Sequence, residues 1–357
     1  MKAIERSAIL LLAIVVAWNC NENPATAPTG GSPLPPIVNG VYVLNEGNYN
    51  DATGARLSIY DIDRDTVYKD VFELSNNGVH LGSTGDDIRL YHGRAYIVMS
   101  HSENLVAISL ENHQLVQTRT FLGSIPHDLL IDSVRNRLYV SHTNDGAISV
   151  LDPATLNTLS TITVGNNPQG MVLSGNYLFV CNSGYDLGRT VSVIDARVDT
   201  LRATITLSDG PTNAAVASDG KVWVVCRGNA FGTPPTPGMI FIIDPVTLAK
   251  EDSIGFTQNL QGIIAIDSSG YAYAAGQAGF FGGPVHRISL LTRSVDLNFI
   301  PDTSYALAID ETSGDIYVAD AKRFVEDGVV SIFSSAGVLR KRFAAERGPG
   351  AIVFRHP

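Results

Sequence analysis

A pattern that returns about every 45 residues constrains this 357-residue chain more than any other feature. Its clearest marker is a short apolar strand, often closed by Asp. It reads LSIYD ending at Asp61, LVAISL at Leu110, ISVLD at Asp152, VSVID at Asp195, IFIID at Asp244, VHRISL at Leu290 and VVSIFS at Ser334. The third unit shows a full set of four strands: PHDLLID from Pro126, RLYVSHTN, AISVLD and TLSTITV. Seven such units predict an all-β, seven-bladed β-propeller of four-stranded blades. The first unit holds only VYVLN, LSIYD and TVYKDVF, whereas a spare AIVF stands at Ala351 to Phe354. A ring closed by the C-terminal strand completing the first blade is therefore expected, because it pairs edges that are otherwise open. Tandem β-sandwiches would not explain a uniform period with the missing strand at the far end.

The N-terminus stands apart from the repeat. Lys2 and Arg6 precede an uncharged run from Ser7 to Trp18, too short to span a bilayer and of the length of a signal-peptide core. The run ends Ala17-Trp18-Asn19-Cys20, which resembles a bacterial lipobox. Residues 1–19 are expected to be a signal peptide, followed by a lipidated Cys20. Residues 21–36 then carry five Pro and two Gly without a hydrophobic period, as in a semi-extended tether. One propeller domain is expected over 37–357. The expected location is the bacterial cell envelope, as an outer-membrane lipoprotein, with the lipid anchor as the chain's contact with membrane.

Composition narrows the function classes. With 35 acidic against 25 basic side chains the net charge is −10, and no Lys/Arg-rich run offers a footprint for a phosphate backbone, so nucleic acid is not an expected partner. Three cysteines make no disulfide scaffold. Cys181 and Cys226, at equivalent positions in adjacent blades, read as small buried side chains. The motifs of P-loops, nucleophile elbows and HExxH zinc sites do not occur. Asp61-Ile62-Asp63-Arg64-Asp65 imitates a calcium loop, but Thr66 stands where Gly is needed and Phe72 where Glu is needed, so it reads as a hairpin turn. No catalytic residue, metal or cofactor is assigned. His101, His127 and His142 are the imidazoles a metal would use if they converged, yet no Cys or carboxylate stands at ligand spacing beside them.

In a propeller, the loops that follow the second strands gather around one mouth of the central channel. Aligning the second strands places Asn45, Ser100, His142, Asn182, Arg227, Gln277 and Asp320 there, and the inner strands add His127, Gln169, Thr212, Gln261 and Ser304. Above this polar floor, five long loops each carry aromatics: Tyr49, Tyr185, Phe231, Phe280 with Phe281, and Phe324, the last beside Arg323. They belong to blades four to seven and one, so the expected shape is a cup with one low side. Such a cup suits a large, partly flat, amphipathic molecule.

The run LYVSHTNDGAISVLDPATLNTLSTITVGNNPQG resembles the YVTN-repeat seven-bladed propellers, over most of Val41 to Phe354. The opening GVYVLNEGNYN, with its NEG at Asn45 to Gly47, is similar to a narrower group of Bacteroidota-type surface lipoproteins, some of which capture cobalamin for an outer-membrane transporter. The resemblance implies a non-catalytic binding propeller, a corrinoid-like ligand and a transporter partner. It transfers no site residue. Only Glu22 follows Cys20 closely, where an acidic run would favour export to the surface. A protein-interaction or adhesion scaffold and a lactonase-like hydrolase working in the channel are the alternative functions.

Overall fold

The computed structural model describes residues 24–26, 34–49, 51–277 and 281–357; the expected leader, Cys20 and Phe280 lie outside them. Seven sheets, each built on four antiparallel strands, form seven blades. Blades two to five run Gly85–Tyr91 to Leu115–Thr120, Pro126–Asp132 to Thr158–Thr163, Pro168–Ser174 to Thr200–Thr206 and Pro211–Val216 to Lys250–Gly255. Blades six and seven run Leu260–Ile266 to Val295–Ser304 and Ala306–Ile309 to Leu339–Ala344. The remaining blade closes the ring as expected. Its inner strand is Pro349–Arg355, paired antiparallel with Gly40–Asn45 through Gly40↔Arg355, Tyr42↔Val353 and Leu44↔Ala351.

The period-two alternation of the second strands supplies two interfaces at once. In Gly40–Asn45, Tyr42 and Leu44 face blade two, packing with Ile88, Ile97 and Met99, whereas Val41 and Val43 face blade seven, packing with Tyr317, Ala319 and Val330. All of these are buried. Each adjacent pair of blades encloses one such cluster. Each fully buried Leu, Ile or Phe contributes about 1.5–3 kcal/mol, so the wedge between blades is the main adhesive.

The Asp that ends many third strands has a local cause. Asp152 Oδ1 accepts the backbone N–H groups of Ala154 and Thr155, and Asp244 Oδ1 those of Val246 and Thr247, so each carboxylate folds the next hairpin turn. The calcium-like run is such a turn: Asp61 Oδ1 accepts Arg64 N–H, and Thr66–Tyr68 returns as the outer strand. Cys181 and Cys226 are buried free thiols.

Two segments differ from expectation. TVYKDVF is a strand only over Thr66–Tyr68. Asp70 takes a left-handed φ of 50° and the chain turns into a short helix, Val71–Ser75, whose Val71 and Phe72 sink into the blade one and two cluster. Within the Pro-rich stretch, Ala25–Thr26 adds to the outer edge of blade one, parallel to Thr66 and Val67. That addition covers an otherwise open edge.

Candidate ligand site in the central channel

In six of the seven blades the inner strand begins with an irregularity in its pairing to the second strand. Gly85 opposes Met99 while Asp87 opposes Val98, which leaves Asp86 as an extra residue. Thr212 lies between the pairs Pro211↔Cys226 and Asn213↔Val225, and Gly350 between Pro349↔Asn45 and Ala351↔Leu44. The shifts of blades three, four and six fall at His127, Gln169 and Gln261, and in blade seven Tyr305 sits in the break between two strands. A β-bulge swings the extra side chain out of the ladder. Here the outcome is a ring of one residue per blade around the channel: Gly350, Asp86, His127, Gln169, Thr212, Gln261 and Tyr305. These residues line a cavity of about 350 Å³.

The position without a side chain is filled from above. A Cβ on Gly350 would stand 2.5 Å from Oε1 of Glu46, so glycine is what lets Glu46 reach into the channel. Burial, reinforced by the nearby Asp86 carboxyl, pushes Glu46 up to about 8, and a hydrogen bond from the Tyr305 hydroxyl opposes this. Burial and the Glu46 carboxyl in turn push the Tyr305 phenol up. Asp86 is also held above its ordinary value by burial, against His127 and the hydrogen bonds from Ser100. Opposite, Arg227 occupies a seat made by Gly262 (φ +90°), where a Cβ would fall 2.7 Å from Arg227 Cγ. Its Nη1 lies 3.5 Å from Asp186 Oδ1.

A lower tier braces the ring. Arg89 Nη1 lies 2.7 Å from Asp87 Oδ1 and its Nη2 3.8 Å from Asp128 Oδ1. Asp87 Oδ2 accepts Leu129 N–H of the next blade, and Asp128 Oδ2 accepts Met171 N–H of the blade after. These carboxylates stitch neighbouring inner strands together. In the upper tier, by contrast, Asp86 Oδ2, His127 Nδ1, Gln261 Oε1 and Arg227 Nε are buried without a partner.

The expected site residues divide accordingly. His127, Gln169, Thr212, Gln261 and Arg227 do meet in the cavity. Asn45, His142 and Asn182 do not, because they end their strands one residue before the channel-facing position and turn into the blade. Asn45 Nδ2 donates to Ser58 Oγ (3.0 Å) and its Oδ1 accepts Glu346 N–H (3.0 Å). Asn182 makes the equivalent bond to Ser192, 3.0 Å. His142 bridges the hydroxyls of Ser124 and Ser149, both 2.8 Å, with burial driving it down to about 4, so it is a core histidine. Ser304 is likewise buried, bonded to Ala306 O, and its neighbour Tyr305 takes the channel position. Gln277 is absent from the cavity lining and its N–H donates to Asn259 O. Asp320 accepts Lys322 N–H and pairs with Lys322 Nζ at 2.7 Å. Arg323 is exposed in a groove of about 450 Å³ that also includes Phe281 and Asp320.

The loop aromatics are largely exposed: Tyr49 (71%), Tyr185 (65%), Phe231 (79%) and Phe281 (36%). Tyr49 meets His101 edge-on at 4.4 Å. Phe281 lies 6.0 Å from Phe324, which meets Tyr305 edge-on at 5.2 Å, so one line of rings descends from the rim to the Glu46 contact. Glu46, Asp86 and Tyr305 were absent from the sequence-based set. Glu46 is the middle residue of NEG, and the glycine of the otherwise apolar PGAIVF is the trace of the space it needs.

The family model described as a domain of unknown function, DUF5074, matches residues 39–281, from the second strand of blade one to the edge of the third strand of blade six. The chain belongs to the DUF5074 family. The DUF5074 match includes Glu46, Asp86, His127, Arg227 and Gln261. Among solved structures, a quinoprotein alcohol dehydrogenase-like protein from Bacteroides thetaiotaomicron VPI-5482 is 15% identical, with a TM-score of 0.68 over 89% of this chain and 78% of that one. A lactonase-like protein from Bacteroides fragilis NCTC 9343 is 13% identical, with a TM-score of 0.66 over 90% of this chain and 99% of that one. Hydrazine synthase of Kuenenia stuttgartiensis is 16% identical, with a TM-score of 0.61 over 72% and 85%. These likenesses concern the fold alone. A search of curated proteins finds no match.

Proposed function

We propose that this DUF5074 propeller is a non-catalytic ligand-binding protein that captures a large amphipathic molecule, one polar group entering the channel mouth while the body rests on the aromatic loops. The observation that carries this reading is the convergence of four buried, unpartnered polar atoms, on Asp86, His127, Gln261 and Arg227, in one cavity. Buried polar groups cost about 1–3 kcal/mol each when unpaired, and a ligand that satisfies them recovers that cost on binding. The NEG opening favours a corrinoid as that molecule and an outer-membrane transporter as its recipient. Lipidation of Cys20 would hold the propeller at the envelope.

The test is calorimetric titration of the protein with cobalamin and cobinamide, with haem as a control for flat apolar ligands. Saturable corrinoid binding that is weakened at least tenfold by Arg227→Ala, and also by Phe281→Ala with little change in Tm, is the expected result. Absence of corrinoid binding removes that ligand. Capture of a partner protein that survives Arg227→Ala but not Tyr185→Ala and Phe231→Ala would instead make the rim a protein-docking surface.

A further inference from the structure

The same channel mouth, taken as the ligand site, also selects which chemical group it receives. We propose that this group is a primary amide, and not a carboxylate or phosphate. Three of the four unpartnered atoms are acceptors or can act as acceptors: Asp86 Oδ2, Gln261 Oε1 and, in one tautomer, His127 Nδ1. They call for N–H donors from the ligand. The fourth, Arg227 Nε, is a donor in blade five, beside Gln261 of blade six and across the ring from Asp86 of blade two, and calls for an acceptor. An amide presents both from one planar group, its NH₂ toward blade two and its carbonyl toward blade five. An ammonium leaves Arg227 unanswered, and a carboxylate leaves Asp86 unanswered.

Charge points the same way. The cavity is lined by four acids, Glu46, Asp86, Asp87 and Asp128, against two guanidinium groups, Arg89 and Arg227. Both cations are committed: Arg89 to Asp87 and Asp128, Arg227 to Asp186. An incoming anion would meet the Asp87 and Asp128 carboxylates in a low-dielectric setting with no unpaired cation to offset them, while Glu46, held protonated by burial, offers it no charge either.

The deciding experiment compares propionamide with propionate, which have the same shape and differ in charge and donor. The His127 ring resonances, assigned by difference with His127→Gln, report on the channel at pH 7. Propionamide is expected to move them saturably, and propionate to leave them in place at tenfold higher concentration. Asp86→Ala should weaken the amide at least tenfold. Propionate binding as well as propionamide, or propionamide leaving His127 unmoved, would overturn the assignment. Because corrinoid titration follows the same resonances, the two failures separate: a corrinoid that shifts His127 while propionate outcompetes propionamide removes only the amide. A corrinoid that leaves His127 unmoved removes the channel mouth as the site.

Discussion

Asn45 and Glu46 are neighbours in the chain with opposite fates, and the difference is measurable. Asn45 holds the third strand and the C-terminal segment with three hydrogen bonds from its amide and one to it, so Asn45→Ala should cost about 2–3 kcal/mol of stability. Glu46 does the reverse. Its carboxyl is raised from 4.5 to about 8 by burial, so between those values the unfolded chain ionises while the folded one stays protonated, and stability falls as pH rises. Glu346, raised to about 7 by burial, adds to the same decline. On the acid side His113 and His142 are lowered from 6.5 to about 4 by burial, so stability falls as pH drops through that window. The melting temperature should therefore peak near about pH 5–6. Glu46→Gln should flatten the alkaline limb, raising Tm at pH 8 and matching the native protein at pH 4.5. A parallel drop in both proteins would show that Glu46 ionises freely.

At the scale of the strand, the bulges account for what was legible beforehand and what was not. Period two and a recurrent terminal Asp exposed the second and third strands, and PGAIVF at the far end exposed the closure, because both signals depend on burial and turn chemistry that leave marks in composition. His127, Gln169, Thr212 and Gln261 were legible at the starts of the inner strands, but Asp86, Glu46 and Tyr305 escaped, because simple alternation fails where a strand begins or ends irregularly. One residue of slip moved the expectation from Glu46 to Asn45 and from Tyr305 to Ser304. In blade five the loop residue Arg227 follows the strand end Cys226, and there the alignment fell on the channel-facing position. The bulge at Gly350 yields its own prediction. Gly350→Ala places a methyl against the flexible end of Glu46, which can rotate away, so Tm at pH 5 should change by no more than a few degrees. The alkaline limb should flatten as it does for Glu46→Gln, and retention of the native profile would show that Glu46 is not seated on that glycine.

The whole molecule is held by its ring, and the join lies at blade one. Arg355 Nη1 donates to Ile37 O and to Leu110 O, both 2.6 Å, and Ser58 donates to Glu346 Oε2 at 2.6 Å, so the C-terminal segment is tied to blade one through Ile37 and Ser58 and to blade two through Leu110. A permutant in which a short linker joins residue 357 to residue 37, opened at the exposed Ser218–Asp219 turn, should fold with a Tm lower by several degrees. Removal of 349–357 should instead prevent cooperative unfolding, since it opens the ring and strips one side of Gly40–Asn45. Failure of the permutant to fold, with intact blades by circular dichroism, would mean that closure must form last from a free C-terminus. The seven channel positions also carry a statistical consequence. A perfectly repeated ring would let a guest settle in any of seven rotations about the axis, a degeneracy worth RT ln 7, or about 1 kcal/mol. Gly350, Asp86, His127, Gln169, Thr212, Gln261 and Tyr305 differ at every step, so this ring forgoes that entropy and gives whatever it holds a single compass bearing.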